Sequence, residues 1–189
     1  MSRIIVSDNI SLDGVVQDPA GDEGFARGGW VGRIKDRPDL ARLALDEALG
    51  AEAFLMGRRT YDWFAGRWPL RTGELADRLN GMPKYVVTSS RERLAWANAT
   101  VLEGDVLDAV RDLKRRLRGE IVVPGSFGLV RVLLECDLVD ELRLKVFPVV
   151  LGAGDRLFGE TSSIKAMRLV DVRTLDGDTA YLTFQKAEG

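Results

Sequence analysis

Short runs of apolar, often β-branched residues alternate along this chain with longer segments in which apolar residues recur every three or four positions. The runs predict buried strands over 3–8, 53–56, 85–87 and 121–123, and the periodic segments predict helices between them. Strands that alternate with helices are typical of α/β proteins, in which helices cover a mostly parallel sheet.

The clearest helix signal covers 105–118, where the apolar residues share one face, acidic residues come early and basic residues come late. Four further helices are predicted to begin at residue 36 or 39, after Gly57, at residue 72 and near Ser126. Residues 96–102 are predicted to be irregular, with room for a short strand.

The last part of the chain has a strand pattern. Residues 142–146 alternate between apolar and polar side chains, which predicts a strand whose exposed side meets a second subunit. Residues 168–175 and 179–185 are predicted strands joined by a tight hairpin at Asp176-Gly177. The whole pattern predicts one α/β domain over 1–189, with about eight strands, four or five helices and an antiparallel hairpin at the end.

Composition adds limits to the function. With 27 basic and 29 acidic residues the net charge is -2, so no nucleic-acid partner is expected. The first ten residues lack a signal peptide or membrane span, so we expect a cytoplasmic protein with no membrane partner. The chain has no histidine, which removes histidine-dependent nucleophiles and the usual zinc ligands, and we predict no metal site. A bound organic cofactor must then supply any redox chemistry.

Three turns that follow predicted strands carry candidate anion sites. Gly57-Arg58-Arg59-Thr60 places two cations at a helix start, where they oppose the helix dipole unless an anion joins them. Thr88-Ser89-Ser90-Arg91 either accommodates a 2′-phosphate, which favours NADP over NAD, or forms a hydroxyl-rich turn or cap. Residues 125–129, which contain Gly125 and Gly128, either bind a phosphate at a helix start or form a tight turn packed with small residues.

Two residues outside these turns are candidates for the substrate side. Asp13 follows the first strand in Ser11-Leu12-Asp13-Gly14 and is either a carboxylate near the substrate or a turn residue bonded to its own backbone. Trp30 belongs to a long loop over 17–37 and either covers the substrate or anchors the loop on the core.

Five segments taken in order resemble the dihydrofolate reductase-like superfamily, in the branch related to the reductase domain of the bifunctional riboflavin-biosynthesis deaminase/reductase. They are SLDG at 11–14, MGRRTYDWF at 56–64, KYVVTSS at 84–90, VVPGSFGLVRVLLE at 122–135 and DELRLKVFPVVLGAGDRLF at 140–158. The resemblance covers nearly the whole chain. It implies a mixed sheet of about eight strands flanked by helices, with NADPH bound across the carboxyl ends of the parallel strands.

The resemblance also implies roles for individual residues. Phe64 would face the substrate with Trp30, and Asp13 would orient or protonate the substrate. The implied cofactor-binding residues are Gly57, Arg58, Arg59, Thr60, Thr88, Ser89, Ser90, Arg91, Gly125, Ser126, Phe127, Gly128 and Leu129. The chain departs from true dihydrofolate reductases at Pro124, which replaces a glycine, and on the first helix, where the nearest candidate acid is Asp39. These departures argue against folate as the substrate.

The sequence therefore predicts an NADPH-dependent reductase that transfers a hydride to a small planar substrate of pterin-, pyrimidine- or other heterocycle-like structure, and that forms a homodimer. Two alternatives stay open: a non-catalytic NADP-binding regulatory module, and a structural dimer with a filled cleft. A different redox cofactor, such as a flavin, would fit the same phosphate sites.

Overall fold

The computed structural model describes residues 1–33, 36–90 and 92–187. The strands are β1 (Arg3–Ser11), β2 (Ala51–Gly57), β3 (Lys84–Val87), β4 (Ala99–Val101), β5 (Glu120–Pro124), β6 (Glu141–Phe147), β7 (Met167–Leu175) and β8 (Thr179–Lys186). The helices are α1 (Pro38–Gly50), α2 (Arg58–Ala65), α3 (Glu74–Gly81), α4 (Val106–Arg116) and α5 (Phe127–Glu135), with 3-10 turns at Val31–Arg33 and Trp68–Leu70. In this part of the chain no helix is long and apolar enough to cross a membrane.

All eight strands form one sheet in the order β4-β3-β2-β5-β1-β6-β8-β7. The six strands from β4 to β6 are parallel, whereas β8 pairs antiparallel with both β6 and β7. Because the parallel strands point the same way, their carboxyl ends form one edge of the sheet. The chain passes directly from β2 to α2 and from β5 to α5, so both helices begin at that edge.

Apolar clusters cover both faces of the sheet, and β1 contributes to each because successive side chains of a strand point to opposite sides. Ile4 and Val6 pack in a cluster with Leu133 of α5, whereas Ile5 packs on the other face with Met56 of β2. These side chains are fully buried. The burial fixes β1 in the middle of the sheet, so its polar carboxyl end lies at the centre of the functional edge.

The predicted elements are confirmed with small shifts at their ends. The largest shift is in β1, which continues to Ser11 although the apolar run stops at Val6. The reason is long-range: β6 pairs with β1 as far as Ser11 and Phe147, so the sheet provides hydrogen bonds for a polar segment. The predicted hairpin is also present, and Asp176 and Gly177 both have positive φ angles, as a tight turn between β7 and β8 requires.

The exposed side predicted for strand 142–146 is wrong. β6 lies between β1 and β8, and its side chains are buried or half-buried on both faces. Lys145 is buried, and the bonds of its ammonium group to Ser7 and Glu47 compensate for the loss of water. The surface assigned to a second subunit is therefore covered within the subunit, and the homodimer itself stays a prediction.

Candidate functional site

A cleft of about 840 Å³ opens at the carboxyl edge of the parallel strands. Its lining comes from the ends of β1, β2 and β5, the first turns of α2 and α5, one side of α1, and part of the loop that follows β1. Ligands of open α/β sheets bind at this edge, because the strand ends and helix starts leave backbone groups available there. The position predicted for the cofactor therefore coincides with this cleft.

Two of the predicted phosphate turns are joined to each other across this cleft. The Gly57 N–H donates to the hydroxyl of Ser126 at 3.0 Å, and the Ser126 N–H donates to the hydroxyl of Thr60 at 3.1 Å. Each turn thus fixes a residue of the other turn. Gly57, Thr60 and Ser126 all line the cleft, and the hydroxyls of Thr60 and Ser126 accept backbone N–H groups.

The start of α5 has the geometry of an anion site. Gly125 and Ser126 have φ angles of 53° and 56°, and the Ser126 side chain does not cap the helix because its hydroxyl accepts from Gly57 instead. A Cβ added to Gly128 would meet no atom within 4 Å, so open space lies in front of the first turn. We call residues 125–129 the phosphate cradle. Its free space and helix dipole fit a pyrophosphate group.

The two arginines of the other turn are already paired with carboxylates. Arg58 binds Asp62 one turn along α2, at 2.8 Å, and also Glu92 at 2.9 Å. Arg59 binds Glu23, which belongs to the loop after β1, at 3.1 Å. Both arginines line the cleft. A cofactor phosphate would therefore have to share or replace these carboxylates, and Glu23 is the one that also lines the cleft.

The hydroxyl-rich turn after β3 lies at the same edge of the sheet but outside the cleft lining. β3 pairs with β2 up to Val87 and Gly57, which puts Thr88 beside the start of α2. The Thr88 hydroxyl accepts the Ser90 N–H at 3.0 Å, as in a local hydroxyl turn, and Ser89 is exposed. Arg91 lies outside the described residues. The 2′-phosphate assignment of this turn stays a prediction.

Asp13 is not among the residues that line the cleft. Its carboxylate accepts the N–H groups of Leu151 at 3.0 Å and Gly152 at 2.7 Å and the hydroxyl of Ser11 at 2.7 Å. These bonds lower the pKa of Asp13 to about 2, and the bond from Leu151 has the largest effect. Asp13 therefore has a structural role, as the turn alternative expects, but its carboxylate bonds mainly to the distant backbone at 151–152 and not to its own. Asp39 also lies apart from the lining, where its carboxylate accepts the N–H of Asp176 at 2.9 Å.

The two aromatic predictions have different outcomes. Trp30 is 1% exposed, packs edge-on against Phe147 and donates its ring N–H to the Gln17 carbonyl, so it anchors the loop on the core. Phe64 lines the cleft and stacks with Trp68, which lines it too. An apolar wall of α1, α2 and α3 side chains surrounds Phe64, and such a wall suits a planar ring.

Sequence reasoning missed the polar side chains at the floor of the cleft. Asp8 is 7% exposed and lines the cleft, and burial raises the pKa of its carboxyl to about 7 against the opposing effects of Lys145 and the Asn9 N–H. Ser7, Glu47 and Lys145 also line it and form a closed set of hydrogen bonds. A signal was available: Ser7 and Asp8 interrupt the apolar run of a central strand at the edge where ligands bind.

Comparison with known proteins identifies relatives of the chain. Residues 2–181 match the protein family described as RibD C-terminal domain. The uncharacterized protein YyaP of Bacillus subtilis is 25% identical over 187 residues, which are 96% of this chain and 94% of YyaP. A crystal structure from Shewanella sp. PV-4, of a protein named provisionally for riboflavin biosynthesis, has a TM-score of 0.77 at 22% identity and covers 98% of this chain and 99% of that one.

A further solved structure extends the likeness of fold. Dihydrofolate reductase from Enterococcus faecalis, in complex with NADP(H) and RAB-propyl, has a TM-score of 0.59 at 13% identity and covers 98% of this chain and 97% of that one. The two structures confirm the predicted dihydrofolate reductase-like fold.

Proposed function

Since the chain belongs to the RibD C-terminal domain family, we propose that it is an NADPH-dependent reductase that transfers a hydride to a small planar heterocycle. The family and the fold agree with a reductase, and they bear out the resemblance in the sequence. The cofactor and the substrate class are our proposal. Among the relatives described above, the Enterococcus faecalis enzyme is the one whose structure contains NADP(H).

One observation carries the proposal: the phosphate cradle and the Gly57–Thr60 turn are hydrogen-bonded together and line one cleft with an apolar wall. The residues fit a pyridine nucleotide. The cradle offers free helix N–H groups for a pyrophosphate, and Arg59 offers a cation beside it. The volume of about 840 Å³ also argues against the alternative of a filled cleft.

The protein would contribute position, exclusion of water and electrostatics. NADPH, when bound, supplies the hydride. Thr60 and Ser126 hold the two turns at a fixed separation, so a nucleotide that spans them is oriented without rearrangement of the backbone. The wall around Phe64 and Phe54 would hold a flat ring against the edge of the sheet and keep water away from it. Asp8 is a buried carboxyl in the cleft lining that has an oxygen without a hydrogen-bond partner in the described residues, and it replaces Asp13 as our candidate for contact with the ring.

Calorimetric titration of NADPH and NADH into the purified protein tests the proposal. We expect NADPH to bind at least ten times more tightly than NADH, and we expect Arg59→Ala to weaken NADPH binding by about tenfold. Arg111→Ala is the matched control, since Arg111 is an exposed arginine of α4 outside the cleft lining. Absence of binding of either nucleotide would contradict the proposal. Binding without hydride transfer to any of a panel of pterins and pyrimidines would favour the regulatory module.

A further inference from the structure

Asp8 is a buried carboxylic acid in the lining of the cleft, and one of its oxygens is unpartnered. Oδ1 accepts the Asn9 N–H at 2.9 Å. Oδ2 is enclosed by protein and has no hydrogen-bond partner in the part of the chain that the structure describes. An unpaired buried oxygen is unfavourable, and few occur in folded proteins. Where such an oxygen belongs to a residue of a ligand cleft, a ligand can supply the missing bond.

The sheet register places Asp8 beside the phosphate cradle. β1 pairs with β5 as far as Pro124, and Asp8 is the first residue of β1 beyond that pairing. Val6 and Ile10 share a strand face with Asp8, and both pack in the same apolar cluster as Leu129 of α5. The Asp8 side chain therefore lies on the α5 side of the sheet, at the level where β5 ends and the cradle begins.

The charged groups that the structure describes around Asp8 do not supply a hydrogen bond to its Oδ2. Lys145 on the neighbouring strand β6 is the cation that acts on Asp8. Its ammonium group, however, bonds to the Ser7 hydroxyl at 2.5 Å and to Glu47 at 3.3 Å on the α1 side of the sheet. Glu47 therefore balances the charge of Lys145, and burial still raises the pKa of Asp8 to about 7. A cationic ligand group would be repelled by Lys145, whereas a neutral N–H donor would not.

We infer that Asp8 binds the ligand of the cleft directly, its carboxyl turning so that the enclosed Oδ2 reaches the cleft and accepts a hydrogen bond from an amide-type N–H. The inference rests on the proposed function, because it assumes a pyridine nucleotide and a planar substrate in the cleft. Two groups carry this chemistry: the carboxamide of the nicotinamide ring, and a ring N–H of the substrate heterocycle. Both are planar, and both are neutral when the nicotinamide is reduced, so they would complete the hydrogen bonding of Asp8 without a change of net charge.

The first test follows the titration of Asp8 itself in the wild-type protein. Aspartate carboxyl carbons are labelled with ¹³C, and the Asp8 resonance is assigned by its loss in Asp8→Asn. A hydrogen bond to the carboxylate favours the charged form, so saturating NADPH, whose nicotinamide ring is neutral, or uracil added to the NADP⁺ complex and compared with that complex alone, should lower the pKa of Asp8 by about one or more. Asp18 is an internal control, because it lines the same cleft and its carboxylate already accepts backbone N–H groups, among them those of Gly21 and Phe25.

The second test identifies the donor by removing it. Calorimetry compares NADP⁺ with its 3-acetylpyridine analogue, which lacks the carboxamide N–H, and compares uracil with 1,3-dimethyluracil, which lacks the ring N–H groups. We expect the wild-type protein to discriminate within one pair by about tenfold and Asp8→Leu to discriminate by less than twofold. The pair of ligands that Asp8→Leu no longer discriminates identifies which ligand donates the N–H to Asp8.

Two results would overturn the inference: an Asp8 titration that NADPH and uracil both leave unchanged while NADPH binds, and discrimination that persists in Asp8→Leu. If the leucine variant does not fold, the titration of the wild-type carboxyl still decides. If NADPH does not bind the wild-type protein, the proposed function fails. In that case the pKa of Asp8 is measured with uracil alone. A lowered pKa would still support the inference about Asp8, and an unchanged pKa would overturn it as well.

Discussion

At the scale of single residues, Asp8 makes the stability of the protein depend on pH. Its carboxyl has a folded-state pKa of about 7 against an ordinary value of 3.8, so the folded protein keeps a proton that the unfolded chain releases. The contribution of Asp8 to stability is therefore fully present below about pH 4, falls as the pH rises towards 7, and is lost above it. The difference corresponds to at most about 4 kcal/mol at pH 8.

Asp8→Asn should remove this dependence. We expect the variant to unfold at a higher denaturant concentration than the wild-type protein at pH 8 and at nearly the same concentration at pH 4, in urea titrations followed by circular dichroism. Asp18→Asn is the control and should destabilise the protein. The amide would place an N–H donor against backbone N–H groups, such as that of Phe25, which the carboxylate accepts. Equal stability of wild-type protein and Asp8→Asn at pH 8 would contradict the prediction.

A second residue-scale prediction concerns Glu23, which forms an ion pair with Arg59. Exposed ion pairs contribute about 0–1 kcal/mol, so loss of the competing carboxylate should tighten NADPH binding by no more than about fivefold. We expect Glu23→Gln to show this gain in calorimetry at low salt and to lose it at 0.5 M NaCl, since salt screens exposed charges.

The neighbouring Asp22 provides the matched control for Glu23. It bonds to Trp63 and Arg67 instead of a predicted phosphate-binding arginine, so Asp22→Asn should not tighten binding. Weaker binding by Glu23→Gln would show that Glu23 supports the cofactor site and does not compete for it.

The residue scale is also where sequence reasoning was least complete. Gly57, Thr60 and the cradle could be found because a strand, a turn and a helix start adjoin in sequence. Asp8 could not be ranked above Asp13, because both follow the same apolar run and their difference comes from distant partners. The carboxylate of Asp13 accepts the N–H groups of Leu151 and Gly152, whereas the carboxyl of Asp8 is buried at the sheet.

At the scale of elements, the start of α5 must combine helix stability with room for a ligand. Glycine lowers the stability of a helix by up to about 1 kcal/mol relative to good helix formers. Gly128 nevertheless stands in the first turn, where a Cβ would point back towards the helix start and into the open cradle. The position thus favours binding space over helix stability.

Gly128→Leu should therefore separate the two properties. We expect the variant to be as stable as the wild-type protein or more stable, by up to about 1 kcal/mol in urea titrations. NADPH binding should weaken by at least about tenfold in calorimetry. Gly81→Leu is the matched control. Gly81 lies at the end of α3 and outside the cleft lining, and a Cβ added to it would also point into open space. Unchanged affinity in Gly128→Leu would exclude the cradle as the pyrophosphate site.

Element prediction succeeded where local signals suffice and failed where the sheet decides. The helix over 105–118 carries its own cap, since Asp105 accepts the N–H groups of Leu107 and Asp108, and its position is confirmed. The outer end of β1 depends on pairing with β6, a segment more than a hundred residues away in sequence, and β6 is enclosed because it pairs with both β1 and β8. Their hydrophobic patterns alone therefore gave the wrong end for one strand and the wrong exposure for the other.

At the scale of the whole molecule, the strand order brings β1 between β5 and β6. The family resemblance implied a mixed sheet of about eight strands but gave no order for them. The same order leaves β7 at one edge of the sheet. An edge strand has unpaired backbone groups, and β7 also exposes apolar side chains, with Leu169 49% and Val172 58% exposed. With β6 enclosed, we predict that the homodimer forms through β7.

Light scattering coupled to size-exclusion chromatography tests this surface. A dimer should have about twice the 20.9 kDa mass of the chain. Val172→Lys should give the monomer mass with an unchanged circular dichroism spectrum, because a lysine on an edge strand opposes pairing with a second copy. Leu70→Lys removes a still more exposed apolar side chain elsewhere and should leave the dimer intact. If the wild-type protein has the monomer mass, the apolar side chains of β7 need another explanation. If Val172→Lys remains a dimer, the subunits meet on a different surface.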